Sequence, residues 1–192
     1  MVPVISLEVS RQLKVKSSWL TDIALILAGS LFVAAMSQLV VFLPFSPVPI
    51  TAQTFAVLLV GAVLGSRRGG LSLLFYLAEG GLGLPFFSGG RAGLAMLVGP
   101  TGGYLVGFVA AAVLVGWLAE RGWDRKFACA LLAFALGNLI IYAFGVLQLS
   151  VWVGFEKAIA AGVLPFLAGD GIKILLAAVA LPSAWKLVNR NN

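Results

Sequence analysis

Long apolar runs, separated by short polar or glycine- and proline-rich segments, dominate this chain. A helix that crosses a bilayer needs about 20 predominantly apolar residues. Runs that reach or approach this length predict membrane spans at residues 21–43, 52–64, 71–81, 104–119, 127–149 and 165–187. The pattern therefore predicts an all-α integral membrane protein with about six transmembrane helices.

Two of the connections between these runs are not ordinary solvated linkers. Pro44, Pro47 and Pro49 exclude regular helix from residues 42–51. Residues 82–103 are rich in glycine and proline but also in aromatic and aliphatic side chains. Irregular backbone of this kind is tolerated near membrane depth only where it is buried in protein or lines a cavity. The sequence thus predicts ordered loops at one side of the helices.

The composition supports a lipid-facing surface. Of the 192 residues, 61% are hydrophobic and only 10% are charged, whereas soluble domains are typically about 45–50% apolar and about 25% charged. The net charge of +6 does not indicate nucleic-acid binding, because the basic residues form short clusters between apolar runs. The sequence contains no P-loop pattern, no histidine and one cysteine, Cys129, so neither ATP hydrolysis nor a zinc or iron site is expected.

The distribution of lysine and arginine predicts the orientation in the membrane. If the first of six spans starts inside, the inside segments hold Arg11, Lys14, Lys16, Arg67, Arg68, Arg121, Arg125, Lys126, Lys186 and Arg190. The outside loops then hold only Arg91 and Lys157. This bias places both termini in the cytoplasm. We therefore expect a cytoplasmic N-terminal segment at residues 1–20, a membrane domain at 21–188 and a cytoplasmic tail at 189–192.

Four ionisable residues lie within or beside the predicted spans, where charges are costly and usually functional. Asp170 and Lys173 are three residues apart and share a helix face. Glu79 ends the third span, and Arg91 lies in the glycine-rich loop after it. We expect all four to converge on one outward cavity. The alternatives are a purely structural Asp170–Lys173 pair, an interfacial Glu79 and a plain exposed Arg91.

Neutral residues complete the candidate lining. The polar or amphipathic side chains in or beside the spans are Gln53, Tyr104 and Asn138. The alternative for Asn138 is a hydrogen bond to a neighbouring helix, with no role toward a ligand. Ala24 and Ala28 form a small-xxx-small pair in the first span. Such a pair either packs helices within one chain or docks a partner protein.

The sequence resembles a known family, the BioY proteins, which are biotin-binding S components of energy-coupling factor transporters. The resemblance rests on PVPITAQTFAVLLVGAVLGSRRG (residues 47–69), YLAEGGLGLPFFSGGRAGLAMLVGPTGGYLVGF (residues 76–108) and GDGIK (residues 169–173). It implies a six-helix S-component fold and high-affinity binding of biotin from the outside of a prokaryotic cell (inner) membrane. It also implies a non-enzymatic protein, without cofactor, whose partners are a membrane T component and a pair of cytoplasmic ABC-type ATPases.

The resemblance also implies roles for particular residues. Asp170 and Lys173 match the binding pair of the family, Arg91 matches a ligand-contacting loop arginine, and Glu79 falls where the family has a polar site residue. Ala24 and Ala28 fit the motif that docks the T component.

The chemistry of biotin is compatible with these residues. A carboxylate suits the two N–H donors of its ureido ring, which we assign to Asp170 with Glu79 or Gln53, and cations suit its tail carboxylate, which we assign to Lys173 and Arg91. The expected apolar packing residues are Leu84, Phe86, Phe87 and Tyr104. Two alternatives remain: an S component for thiamine or riboflavin, and a membrane enzyme that uses Glu79 and Asp170 as acid and base.

Overall fold

The computed structural model describes residues 3–12 and 18–190, which are almost entirely helical. The helices are α1 (Ile5–Gln12), α2 (Trp19–Ser37), α3 (Gln53–Gly81), α4 (Ala95–Val98), α5 (Gly102–Ala119), α6 (Phe127–Val153), α7 (Phe155–Gly162) and α8 (Leu167–Arg190). Two short strands, β1 (Val40–Val41) and β2 (Ile50–Thr51), pair antiparallel. Single 3-10 turns cover Trp123–Arg125 and Leu164–Phe166.

The long helices are apolar enough to cross a membrane. In the described part of the chain, five segments meet the length and hydropathy needed, namely Trp19–Ser37, Gln53–Gly81, Gly102–Ala119, Phe127–Val153 and Phe155–Val188. The predicted class, an all-α membrane protein, is thereby confirmed. The first predicted span is too long at its end, because α2 stops at Ser37 and the chain then forms the β1–β2 ribbon around the proline-rich loop.

Helix α3 is a tight antiparallel hairpin of two helical halves, residues 53–64 and 66–81. Gly65 has φ 84° and ψ 176°, which interrupts the helix and favours glycine. Gln53 Nε2 donates to the hydroxyl of Tyr76 at 2.6 Å, whereas a straight helix would separate these residues by about 35 Å. The turn thus falls between the predicted spans 52–64 and 71–81. Glu120, the residue after the end of α5, stabilises it by accepting from the Ser66 N–H at 2.8 Å.

Glycines allow the helices behind the cavity to approach one another closely. A Cβ atom on Gly103 of α5 would lie 2.2 Å from the carbonyl oxygen of Phe144 in α6. A Cβ on Gly61 of α3 would lie 2.6 Å from the carbonyl oxygen of Ala112 in α5. Both clashes are with backbone, so only helix separation could relieve them. The small residues therefore set the spacing of α3, α5 and α6.

We expect Gly103→Ala to destabilise the protein by about 1–3 kcal/mol, the usual cost of overpacking. The matched control is Gly171→Ala in α8, where a Cβ would meet nothing within 4 Å. Because alanine has the higher helix propensity, this variant should be as stable as the wild type or more stable. Thermal unfolding in detergent, followed by circular dichroism, measures both variants. Equal melting temperatures for the two would contradict the close α5–α6 contact.

Polar contacts fasten the two ends of the helical bundle. At the end that carries the α3 turn, Arg68 pairs with Asp22 of α2 at 2.5 Å, and Trp185 Nε1 donates to Asp124 at 2.5 Å. Burial raises the pKa of Asp124, although the bond from Trp185 opposes this shift. At the opposite end, the Gly93 N–H donates to the Gly80 carbonyl at 2.8 Å and folds the 82–94 loop back onto α3.

Candidate functional site

The best-formed cavity lies at the end of the bundle opposite the α3 turn. The empty space inside it, together with its open mouth, is about 580 Å³. Residues from the proline-rich loop, the glycine-rich loop, α3, α5, α6 and α8 line it. They are Val48, Pro49, Thr51, Gln53, Thr54, Phe87, Ser88, Met96, Thr101, Tyr104, Leu105, Phe108, Ile141, Tyr142, Phe166, Asp170 and Lys173.

Asp170 and Lys173 form an ion pair on the cavity wall. Lys173 Nζ lies 2.7 Å from Asp170 Oδ1, and the side chains are 20% and 4% exposed, respectively. Their spacing of one helical turn puts both on the same face of α8, as the sequence predicted. Lys173 also donates to the carbonyl oxygen of Thr51 at 2.7 Å and to the hydroxyl of Thr54 at 3.1 Å. The three donors of its ammonium group are thus all engaged.

Neutral donors surround the other side of the Asp170 carboxylate. The hydroxyl of Tyr142 donates to Oδ2 at 2.6 Å and that of Thr54 donates to Oδ1 at 3.0 Å. Asn138 Nδ2 lies 3.4 Å from Oδ2. Among the described residues, the Asn138 Oδ1 is buried without a hydrogen-bond partner.

Aromatic side chains form the apolar part of the lining. Phe87 is almost fully buried and meets the ring of Tyr76 edge-on, with 5.6 Å between ring centroids. The hydroxyl of Tyr104 donates to the Gly162 carbonyl at 2.8 Å, which ties α5 to the end of α7. Phe108 and Phe166 complete the wall. The cavity therefore combines one charged patch with a largely apolar surface.

Gln53 connects this lining to the glycine-rich loop. Its amide donates to the Tyr76 hydroxyl, which in turn donates to the Phe86 carbonyl at 3.2 Å. The Phe86 carbonyl also accepts from the hydroxyl of Ser37 at 2.5 Å. Phe86 thus contributes a backbone anchor, while its side chain is outside the cavity lining; its neighbour Phe87 supplies the ring.

Two of the charged residues predicted for the site lie beside the cavity rather than in its lining. Glu79 is half-buried between α3 and α2 and accepts a hydrogen bond from the hydroxyl of Ser30. Arg91 donates to the carbonyl and hydroxyl oxygens of Ser88, at 2.9 and 3.1 Å, and its guanidinium lies over the ring of Phe42. Ser88 lines the cavity. Arg91 therefore contacts a lining residue but does not itself line the cavity.

Ala24 and Ala28 lie on an outer face of α2. Both are exposed, as are Leu31 and Ala35 farther along the same helix. These small side chains therefore do not serve the packing of α2 onto α3, which uses Gly29, Ser30 and Val33.

Several residues that line the cavity were not predicted from the sequence. Thr54 contacts both members of the ion pair, and its spacing of three from Thr51 in the run TAQTF was the available signal. Phe108 and Phe166 carry no such signal, because a helix that is apolar on all sides does not reveal which face is inside. Ser88 and Thr101 lie in loop segments, whose conformation local patterns do not specify.

The fold defines a multi-pass α-helical membrane protein, and its cavity is lined by an ion pair and aromatic side chains. A family model described as "BioY family" matches residues 9–190. The chain belongs to the BioY family, which confirms the resemblance found in the sequence.

Curated relatives and a solved structure agree with this membership. The chain is 42% identical to the biotin transporter BioY of Rhizobium etli over 146 residues, covering 71% of this chain and 78% of that protein. It is 44% identical to the biotin transporter BioY of Thermotoga maritima over 138 residues, covering 71% and 80%. A crystal structure of the S-component for biotin from an ECF-type ABC transporter superposes with a TM-score of 0.76, at 25% identity, covering 87% of this chain and 92% of that one. The predicted S-component fold and the prediction of a transport protein rather than a membrane enzyme are both confirmed.

Proposed function

We propose that this chain captures biotin with high affinity from the outside of the membrane for uptake through an ECF-type transporter. The observation that carries the proposal is the Asp170–Lys173 pair, buried in the wall of a largely apolar cavity. Charges within a membrane protein are retained chiefly where they serve a ligand or a pathway. The membership of the BioY family identifies biotin as the solute.

The geometry suits both polar ends of biotin. The tail carboxylate can replace the neutral oxygen of Thr54 or Thr51 as a partner of Lys173, because a charge-assisted bond is stronger than the bond it displaces. Asp170 and Gln53 offer acceptor oxygens to the ureido N–H groups. Arg91, held at the cavity edge through Ser88, adds positive potential on the loop side. The aromatic wall then buries the thiophane ring.

The same reasoning extends to the topology. Because α3 reverses at Gly65, α2, both halves of α3, α5, α6 and α8 provide six spans. Arg67, Arg68 and Arg121 all lie at the end of the bundle that carries the α3 turn, as expected for a cytoplasmic face. We therefore place both termini and the short segments 1–20 and 189–192 in the cytoplasm, the domain 21–188 in the cell membrane, and the cavity at the outer side.

The proposed partners follow from the transporter class. An S component hands its solute to a membrane T component coupled to cytoplasmic ABC-type ATPases. The exposed small residues Ala24 and Ala28 leave α2 open to close helix contact. We therefore assign this face to the T component.

Equilibrium binding of radiolabelled biotin to the purified chain in detergent tests the proposal. We expect a Kd in the nanomolar range, which corresponds to about −12 kcal/mol. Unlabelled biotin should displace the radioligand, whereas thiamine and riboflavin should not, since neither has a carboxylate for Lys173. Micromolar or absent binding, or displacement by either of the other vitamins, would refute the assignment of biotin.

A further inference from the structure

A cleft opens at the end of the bundle that carries the α3 turn, remote from the solute cavity. The cleft lies between α1, the start of α2 and the turn of α3, and its empty space together with its open mouth is about 1460 Å³. Its rim carries Arg11, Arg67, Arg68, Asp22 and Glu120. Each of these residues lies in the first or last turn of a helix or beside the α3 turn, so the cleft lies at a membrane face.

The charges of this rim are not balanced. Asp22 is paired with Arg68, and Glu120 accepts from the N–H and hydroxyl groups of Ser66. Among the described residues, no carboxylate lies within ion-pair distance of Arg11 or Arg67, and both are exposed. The six residues that join α1 to α2, LKVKSS, contain two lysines and no acid. Within the described residues, the rim therefore has two arginines without a paired carboxylate.

The cleft continues into an apolar groove between α2 and the second half of α3. The groove has a volume of about 800 Å³ and shares Ile23, Ile26 and Leu71 with the cleft. Leu27, Leu74, Phe75 and Ala78 form the rest of its lining. The rise from Arg67 to Ala78 is about 16 Å, close to the roughly 15 Å depth of one leaflet of the hydrocarbon core.

We propose that this combined cleft and groove binds one anionic phospholipid, with its phosphate between Arg11 and Arg67 and one acyl chain along the groove. Guanidinium groups bind phosphate oxygens by paired, charge-assisted hydrogen bonds. Basic pockets between helices at the cytoplasmic face suit anionic headgroups. A cationic end joined to an apolar groove of leaflet depth matches both parts of a lipid, whereas a free anion would use only the rim. The inference does not depend on the identity of the transported solute.

Native mass spectrometry of the chain in micelles with equal amounts of phosphatidylglycerol and phosphatidylcholine tests the lipid site. We expect one retained phosphatidylglycerol and a preference of roughly 30-fold, from two contributions of about 1 kcal/mol each. Arg11→Gln with Arg67→Gln should reduce the preference to less than about threefold. The matched control, Lys126→Gln with Lys186→Gln, removes the same charge from two exposed residues outside the cleft and should retain the preference.

Two further measurements distinguish a lipid site from misfolding of the arginine variant and from a site for free phosphate. Ala78→Trp should weaken phosphatidylglycerol retention by filling the groove while leaving the arginines in place, so it remains informative if the arginine variant does not fold. Excess inorganic phosphate should not displace the lipid. Equal retention of both lipids by the wild type, unchanged retention in the arginine and tryptophan variants, or displacement by phosphate would each overturn the proposal. Biotin binding by the same preparations reports separately on the solute site.

Discussion

Substitution of Lys173 by methionine is expected to weaken biotin binding by about 100-fold or more, which is two factors of ten at about 1.4 kcal/mol each. Methionine preserves much of the length and apolar stem of the side chain but removes the ammonium group. The variant loses the cation that faces the tail carboxylate. It also leaves Asp170, only 3% exposed, without its counter-charge, so that the ligand meets a net negative wall.

The methyl ester of biotin isolates the charge effect. Because the ester has no negative charge, its affinity should fall much less than that of biotin in the Lys173→Met variant. Lys157→Met is the matched control: Lys157 is exposed on α7 and outside the cavity lining, so both ligands should bind it as they bind the wild type. Isothermal titration in detergent gives all the affinities. Equal losses for biotin and its ester would show that Lys173 acts through the structure of the cavity and not on the carboxylate.

The sequence was sufficient for those features that depend on local pattern. Long apolar runs predicted the helices, and the gap between the predicted spans 52–64 and 71–81 predicted the break that the structure places at Gly65. The spacing of Asp170 and Lys173 predicted a shared helix face. Each of these depends on residues that are close in the chain. The family resemblance was carried by equally local blocks of residues, and it matched nearly the whole chain.

Features that depend on distant contacts were not predictable in the same way. The engagement of all three Lys173 donors requires the backbone of Thr51 and the hydroxyl of Thr54, which lie 122 and 119 residues away in the chain. The positions of Glu79 and Arg91 depend on how the 82–94 loop folds against α2 and α3. Charge and hydropathy predict the side of the membrane on which such residues lie, but loop geometry decides what they contact. Their roles toward the ligand stay predictions.

Substitution of Asp170 by asparagine distinguishes two roles for this carboxylate, and we expect it to weaken binding by about 30- to 100-fold. If Asp170 accepts a ureido N–H group, the loss of that charge-assisted bond costs about 1.5–3 kcal/mol. In the wild type, the hydroxyls of Tyr142 and Thr54 donate to the Asp170 carboxylate. In the variant, the NH₂ group of the new amide would face one of these hydroxyls. The affinity of biotin and that of its methyl ester should then fall by similar factors.

The opposite result would follow if Asp170 were only a counter-ion for Lys173. Neutralising it would leave a bare cation in the cavity, and the anionic ligand would bind more tightly while the neutral ester would not. The direction of the change in biotin affinity therefore decides the role, whatever its size. Glu156→Gln makes the same carboxylate-to-amide change at an exposed residue of α7 and should leave both affinities unaltered. Since Lys173→Met and Asp170→Asn affect the ester differently under this assignment, the pair of variants identifies which end of the ligand each residue holds.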